Sequence, residues 1–329
     1  MAISKKEIVD QSNAALNQWG AQWRRHAIEH SSYDMIPFRE FQNIGVGKTL
    51  LLVANGFSFE ENIELIKKYK DNVDIMACDK TLGVLLDHGI TPKYCMVCDA
   101  NVDYKKYCEP WKDQLKDTIL FQNVAGNPKF TSAGKWAKVV FFVNEDAIHS
   151  EIEFQKISKC SNTIPAATNV SGAMLVLATQ SKRNQRNNYF GYDKLLLIGY
   201  DYSWKEGHYY AFNKRGDGKD NYMRHIQMPD RNGDLCYTSH NLHFSARWLT
   251  DYIRNFRLPC IMGSGSTLVG HVPIKDFEKE IQYNFKIDDG PKVRKMVIEL
   301  QEYKLQASQI ESKLLAIGNE HWLEFKQSI

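Results

Sequence analysis

The chain opens on a helical rhythm and then abandons it. Ala14, Ala15, Trp19 and Trp23 recur at helical spacing within residues 1–44, until Ser31, Ser32 and the Pro37 region break the pattern. Beyond that point short, continuous apolar runs alternate with longer amphipathic stretches. The runs are Leu50–Ala54, Val73–Cys78, Tyr94–Cys98, Ile119–Gln122, Val139–Val143, Leu195–Gly199 and Pro259–Met262. Runs that are apolar throughout, rather than at alternate positions, predict strands of a parallel sheet covered on both faces. Interleaved with helices, they predict an α/β domain with a doubly wound, mostly parallel sheet over 46–285. A helical segment over 1–45 precedes it. A C-terminal helix over 286–329 follows the break at Asp288-Asp289-Gly290, with an apolar stripe through Val293, Met296, Val297 and Leu300. That stripe predicts packing on the domain, or a homo-oligomer contact. Polar segments at Ser181–Asn188 and Asn213–Asp234 interrupt the core, and the second stands where a lid over a ligand would be.

Composition narrows the class. With 329 residues, 43% hydrophobic and 25% charged, the chain can bury a core without covalent staples. A net charge of +3 is too balanced for a protein that grips nucleic acid by charge. No apolar run approaches the ~20 residues of a membrane span. The first twenty residues lack an apolar signal core, and seven cysteines at no disulfide-framework spacing predict free thiols, so a cytoplasmic protein is expected.

Several familiar patterns fail on inspection. Gly45-Val46-Gly47-Lys48-Thr49 resembles the end of a P-loop, but Gln42 stands where a glycine is required and the strand follows the loop instead of preceding it. Cys95 and Cys98 fall within an apolar run, with no second pair at zinc-knuckle spacing, and read as small buried hydrophobes. Asp99-Ala100-Asn101-Val102-Asp103 begins like a calcium loop, yet Tyr104 and Pro110 occupy the glycine and glutamate positions. His243 and Arg247 lie one helical turn apart without a metal-binding pattern. No metal site is expected from these residues.

Ligands of open α/β sheets bind at the carboxyl ends of the strands, and those ends form a consistent set here. The first run leads into Asn55-Gly56-Phe57-Ser58, where Gly56 permits a tight turn. The second ends at Asp79, the third at Asp99 and Asn101, and the fourth at Asn123. Thr168, Ser171 and Gly172 stand at the start of an apolar helix, and Asp201 and Tyr202 follow the run ending at Gly199. Polar residues at strand ends commonly serve as turns and caps, but so many together point to a pocket that recognises a nucleotide or sugar by hydrogen bonds.

These blocks carry a resemblance. Leu51-Leu52-Val53-Ala54-Asn55-Gly56-Phe57-Ser58-Phe59-Glu60, with the stretch through Asp99-Ala100-Asn101, resembles the MptE-like and motility accessory factor (Maf) family. The loop of that family reads G-x-G-P-S-L; here Ala54 replaces the first glycine and Phe57 the proline. The segments Thr168–Ala178, Ile198–Tyr202 continuing to Tyr209-Tyr210-Ala211-Phe212, and Tyr237-Thr238-Ser239-His240 are similar in order to bacterial CMP-sialic-acid-dependent sialyltransferases, which share a Rossmann-like core. The resemblance implies that Asn55, Gly56 and Ser58 contact the nucleotide phosphate and ribose, and that Asp79, Asp99 and Asn101 line the donor or acceptor pocket. It implies that Thr168, Ser171 and Gly172 hold the nucleotide sugar, and that Ser264 and Gly265 close around the base. Tyr210 would donate to the leaving phosphate and His240 would serve as general base, with His243 and His208 as rivals. Ser203 stands where those enzymes have a second tyrosine.

The expected function is therefore transfer of a nonulosonic-acid-type sugar from a CMP-activated donor to a protein or glycan hydroxyl, with no cofactor required. Histidine has the pKa of a base for the acceptor, and tyrosine is a neutral donor for the phosphate. The alternative is an ATP- and Mg²⁺-dependent 6-hydroxymethyl-dihydropterin pyrophosphokinase, with Asp79, Asp99 and Asp201 facing the metal and Arg215, Arg224 and Arg231 as candidates to hold a triphosphate. A non-catalytic nucleotide- or glycan-binding protein is the third reading.

Overall fold

The computed structural model describes residues 5–145, 150–179, 190–205, 211–212 and 226–282. Eight strands form one parallel sheet in the order β10-β7-β1-β2-β3-β4-β5-β6. They are β1 (Thr49–Val53), β2 (Asp74–Cys78), β3 (Tyr94–Val97), β4 (Ile119–Asn123), β5 (Lys138–Glu145), β6 (Thr163–Pro165), β7 (Lys194–Ile198) and β10 (Cys260–Met262). A separate antiparallel pair joins β8 (Ile226–Pro229) to β9 (Leu235–Thr238). The helices are α1 (Lys5–His30), α2 (Phe57–Glu61), α3 (Ile63–Tyr69), α4 (Asp79–Asp87), α5 (Tyr104–Tyr107), α6 (Lys129–Ala133), α7 (Ser150–Ser158), α8 (Val170–Thr179), α9 (His240–Phe256) and α10 (Phe277–Gln282). This is the Rossmann-like, doubly wound arrangement that the continuous apolar runs predict.

The apolar runs separate into two faces as strand geometry requires. In β1, Leu50 and Leu52 pack into the core under α8, whereas Leu51 and Val53 face the opposite layer with Phe59, Ile63 and Ile66. β7 repeats the division, with Leu195 and Leu197 on the α8 side and Leu196 and Ile198 on the other. Its register sets Leu51 opposite Leu196 and Val53 opposite Ile198. Helix α8 is buried from Ser171 to Thr179, which explains why its sequence is apolar on every side. It lies across β1, β2 and β3.

Strand order creates one reversal. From β1 the chain steps outward through β6, then returns to lay β7 on the other side of β1. The carboxyl ends of β1 and β7 therefore flank the switch point, where an open α/β sheet has a crevice for ligands. Lys48, at the opposite end of β1, lies 3.9 Å from Asp74, so the Gly47-Lys48-Thr49 sequence is far from that crevice in the strand direction.

Two differences from the sequence reading have local causes. The segment expected as a lid over 213–234 contains β8 from Ile226. Its four residues, Ile226-Gln227-Met228-Pro229, are alternately half-buried and exposed and pair with β9, too short a run to stand out from the polar residues around it. Residues 213–225 lie outside the described residues, as do Ser181–Asn188 and the C-terminal helix expected over 286–329. Cys95 is buried in β3, but Cys98 lies just beyond the strand and is half-buried. All seven cysteines are free, and no helix among the described residues is long and apolar enough to cross a membrane.

Candidate functional site

The switch point is tied together before any ligand is considered. Ala54 N–H donates to Ile198 O at 2.9 Å and Gly56 N–H to Gly199 O at 2.9 Å, extending the β1–β7 ladder past the strand ends. A Cβ on Gly56 would stand 2.5 Å from Gly199 O and 2.6 Å from Asp201 Oδ2, so the close approach requires glycine. Ser58 then binds Asp201 twice, through N–H to Oδ2 at 2.6 Å and Oγ–H to Oδ1 at 2.5 Å, while Gly199 N–H donates to Ser58 Oγ at 2.9 Å. Burial pushes the Asp201 carboxyl up to about 7, against the lowering effect of the Ser58 hydrogen bonds.

Beside this lock lies a cavity of about 580 Å³ over the ends of β1, β2, β3 and β5. Seven of the sequence-predicted residues line it: Asn55, Gly56, Asp79, Asp99, Thr168, Ser171 and Tyr202. Asp79 opens α4 and its Oδ1 accepts Lys80 N–H at 2.7 Å. It is 2% exposed, and burial, reinforced by the nearby Asp99 charge, pushes its carboxyl up to about 6 against the pull of Lys80. Asp99 Oδ1 accepts Asn101 N–H at 2.8 Å. The hydroxyl and amide side chains of the lining are neutral. Ser171 Oγ lies 2.9 Å from Tyr202 Oη and donates to Asn169 Oδ1 at 2.8 Å, and Asn169 Oδ1 also accepts Gly172 N–H at 2.9 Å. Burial pushes the Tyr202 phenol up to about 12, so it stays protonated as a hydrogen-bond donor. Its backbone is held at φ 56°, a left-handed conformation that a bulky residue adopts only when its surroundings compel it.

The remaining expected residues are placed elsewhere. Ser58 and Asp201 form the lock and do not line the cavity. Asn101 is exposed and accepts from Gln22 Nε2 at 3.0 Å, and Asn123 Oδ1 accepts Ala125 N–H at 2.8 Å in a turn. Gly172 is buried in α8, Ser264 Oγ accepts Ser266 N–H at 3.1 Å, and Gly265 packs against Asn232. His240 is exposed in the first turn of α9, and neither it nor the half-buried His243 lines the cavity, although Leu242 of the same turn does. Ser203 does line it. Tyr210 and His208 lie outside the described residues, with Arg215 and Arg224. Arg231 is occupied by the carbonyls of Val269 and Val272 at 3.2 and 2.6 Å.

Sequence reasoning also missed lining residues. Asn144 follows the run Val139–Val143, so the same strand-end rule reaches it. Its Oδ1 and the Oγ1 of Thr168 are buried without a protein partner, and both line the cavity. Buried polar atoms in that state gain most from a ligand that completes their hydrogen bonds. Lys80 and Asn169 adjoin predicted residues, whereas Trp23, Phe244 and Trp248 come from helices whose patterns signal only an amphipathic face.

The fold is a doubly wound α/β arrangement with a cavity at the switch point of its parallel sheet. Residues 27–207, more than half of the chain, match the family described as 6-hydroxymethylpterin diphosphokinase MptE-like, and the chain belongs to that family. In fold it is similar to the structure of the MAf glycosyltransferase from Magnetospirillum magneticum AMB-1, with a TM-score of 0.55 and 16% identity over 78% of this chain. The match spans 38% of that larger chain. No curated protein matches the sequence.

Proposed function

We propose that this chain is a diphosphotransferase that uses ATP with Mg²⁺ and acts on the hydroxymethyl group of a pterin-type acceptor. The observation that carries this reading is the pair Asp79 and Asp99 lining one cavity at the ends of neighbouring strands. Two carboxylates repel a bare polyphosphate, so an anionic ligand beside them needs a divalent cation. The residues suit Mg²⁺. They offer hard oxygen donors, and no three His, Cys, Asp or Glu side chains among the described residues converge as an all-protein cage. Mg²⁺ characteristically takes one or two carboxylates and fills its shell with water and phosphate oxygens. When bound, it supplies charge neutralisation for the transferring phosphates.

In the reaction, the acceptor hydroxyl loses its proton to solvent, its oxygen bonds to the β-phosphorus of ATP, and the bond from that phosphorus to the α-phosphate oxygen breaks to release AMP. Asp79 and Asp99 would hold the cation, Lys80 would face the phosphates, and Asn55 with the Gly56 turn would border the nucleotide. The family match supports this reading over glycosyl transfer. A second reading, transfer of a sugar from a CMP-activated donor to a protein or glycan hydroxyl, draws support from the neutral wall of Thr168, Asn169, Ser171 and Tyr202, a set of groups suited to sugar hydroxyls.

One assay separates them. Incubation with ATP and 6-hydroxymethyl-dihydropterin should release AMP with Mg²⁺ and none with chelator. Thermal stabilisation by CMP without metal, combined with no AMP release, would replace the first reading by the second.

A further inference from the structure

The cavity is built from two parts of the chain with different chemistry. Its polar lining falls within residues 27–207, the span shared with the family. Trp23 precedes that span, and Leu242, Phe244 and Trp248 follow it. We infer that Trp248, together with Trp23, is the specificity-determining platform for the acceptor, stacking a planar heteroaromatic ring while the nucleotide occupies the polar part. The inference rests on the transfer reading above for the existence of an acceptor.

Both indoles are set in place by the protein. Trp248 stacks on Tyr252 with ring centroids 5.2 Å apart and planes 13° from parallel, and Tyr252 Oη lies 3.4 Å from Thr179 Oγ1. On α8, a Cβ at Gly172 would meet Trp248 Cζ3 at 3.1 Å, so the absence of a side chain there makes room for the indole. Gly172 adjoins Ser171, which brings the aromatic wall to the border of the polar one. Trp23 meets Phe154 edge-on at 6.4 Å. Its neighbours fasten α1 on both sides: Gln22 donates to Asn101 at 3.0 Å, and Arg24 pairs with Glu153 at 2.6 Å.

Two large rings remain half-buried on the cavity lining, and the α9 side chains that line it beside Trp248, Leu242 and Phe244, are uncharged. Such a surface is poor for phosphate and good for a flat ring, because stacking buries apolar area and engages a π face. Two fixed indoles also lose little conformational freedom when the ligand arrives.

The test is calorimetric binding of 6-hydroxymethylpterin and, separately, of ATP with Mg²⁺, to the intact chain and to Trp248→Ala, Trp248→Phe and Trp23→Leu. We expect Trp248→Ala to weaken pterin binding about tenfold or more, a loss typical of a removed stacking partner. Trp23→Leu should weaken it by a smaller factor, and Trp248→Phe, which keeps an aromatic ring on Tyr252, should stay within about threefold of the parent. ATP affinity should change by less than about twofold in all three. Pterin binding that is absent in the parent chain, or unchanged in Trp248→Ala, overturns the inference. So does a parallel loss of ATP affinity in Trp248→Phe, or Trp248-dependent binding of a CMP-activated sugar without any binding of pterin. Trp248-dependent pterin binding without AMP release supports the platform while removing the diphosphotransfer reading, so the two can fail separately.

Discussion

The acidic strand ends of this molecule meet two opposite fates. Asp201, after β7, is closed upon Ser58 by two short hydrogen bonds and is turned into part of the β1–β7 crossing. Asp79 and Asp99, after β2 and β3, each accept a local backbone N–H on one carboxylate oxygen and line the cavity. Burial raises both Asp79 and Asp201, so a shifted pKa does not distinguish them. What distinguishes them is whether the carboxylate oxygens are already used. A strand-end acid with both oxygens occupied organises a fold, and one facing a cavity can organise a ligand.

The sharpest way to break this comparison is to neutralise each acid in turn. Asp79→Asn or Asp99→Asn should reduce Mg²⁺-dependent AMP release by about 100-fold or more, a loss of the order seen when an electrostatic group at a reacting centre is removed. Turnover retained by both variants would sink the carboxylate-pair reading. Asp201→Ala should instead cost about 2–4 kcal/mol in urea unfolding, because Ser58 N–H and Oγ–H lose their acceptor within the core. If that variant unfolds like the parent but loses nucleotide binding, the division between lock and site is wrong.

The pH dependence sharpens the same contrast. An unfolded aspartate titrates near 3.9. The folded chain holds protons on Asp79 up to about 6 and on Asp201 up to about 7. The folded state therefore binds more protons in that window, and these two groups contribute less stability as pH rises from about 4 through 7. Melting curves across that range should fall less steeply for Asp79→Asn than for the parent. Stabilisation by ATP with Mg²⁺ should strengthen as pH passes about 6, where the Asp79 carboxylate forms.

The smallest expected effect belongs to His240→Ala. His240 is exposed and does not line the cavity, so AMP release should stay within about twofold of the parent. A general base would lose 10²–10⁴-fold. A fall of that size in a sugar-transfer assay, with nucleotide binding intact, would favour the glycosyl-transfer reading instead.

The sheet was legible because each β-strand of a covered parallel sheet must be apolar on both faces, and Leu50–Ala54 and Leu195–Gly199 announce that directly. β6 has three residues and β8 four, with half of β8 exposed, too short for the same signal. The strand-end rule located Asn55, Asp79 and Asp99 on the cavity for a related reason, since a strand's direction fixes which end its ligand meets. It also selected Asp201 and Asn123, because an acid or amide that caps a turn and one that faces a ligand are written with the same letters.

Sequence alone determined the class of sheet, the positions of its principal strands and the loops from which a ligand site could be drawn, because those properties depend on local hydrophobic period and chain direction. Only the tertiary structure decided that Asp201 would spend its oxygens on Ser58 while Asp79 and Asp99 faced a shared cavity. It alone brought Trp23 and Trp248, separated by most of the domain, to the lining of one cavity. Those outcomes follow from strand order and helix packing, and contacts between distant residues leave no mark in the local pattern of either segment.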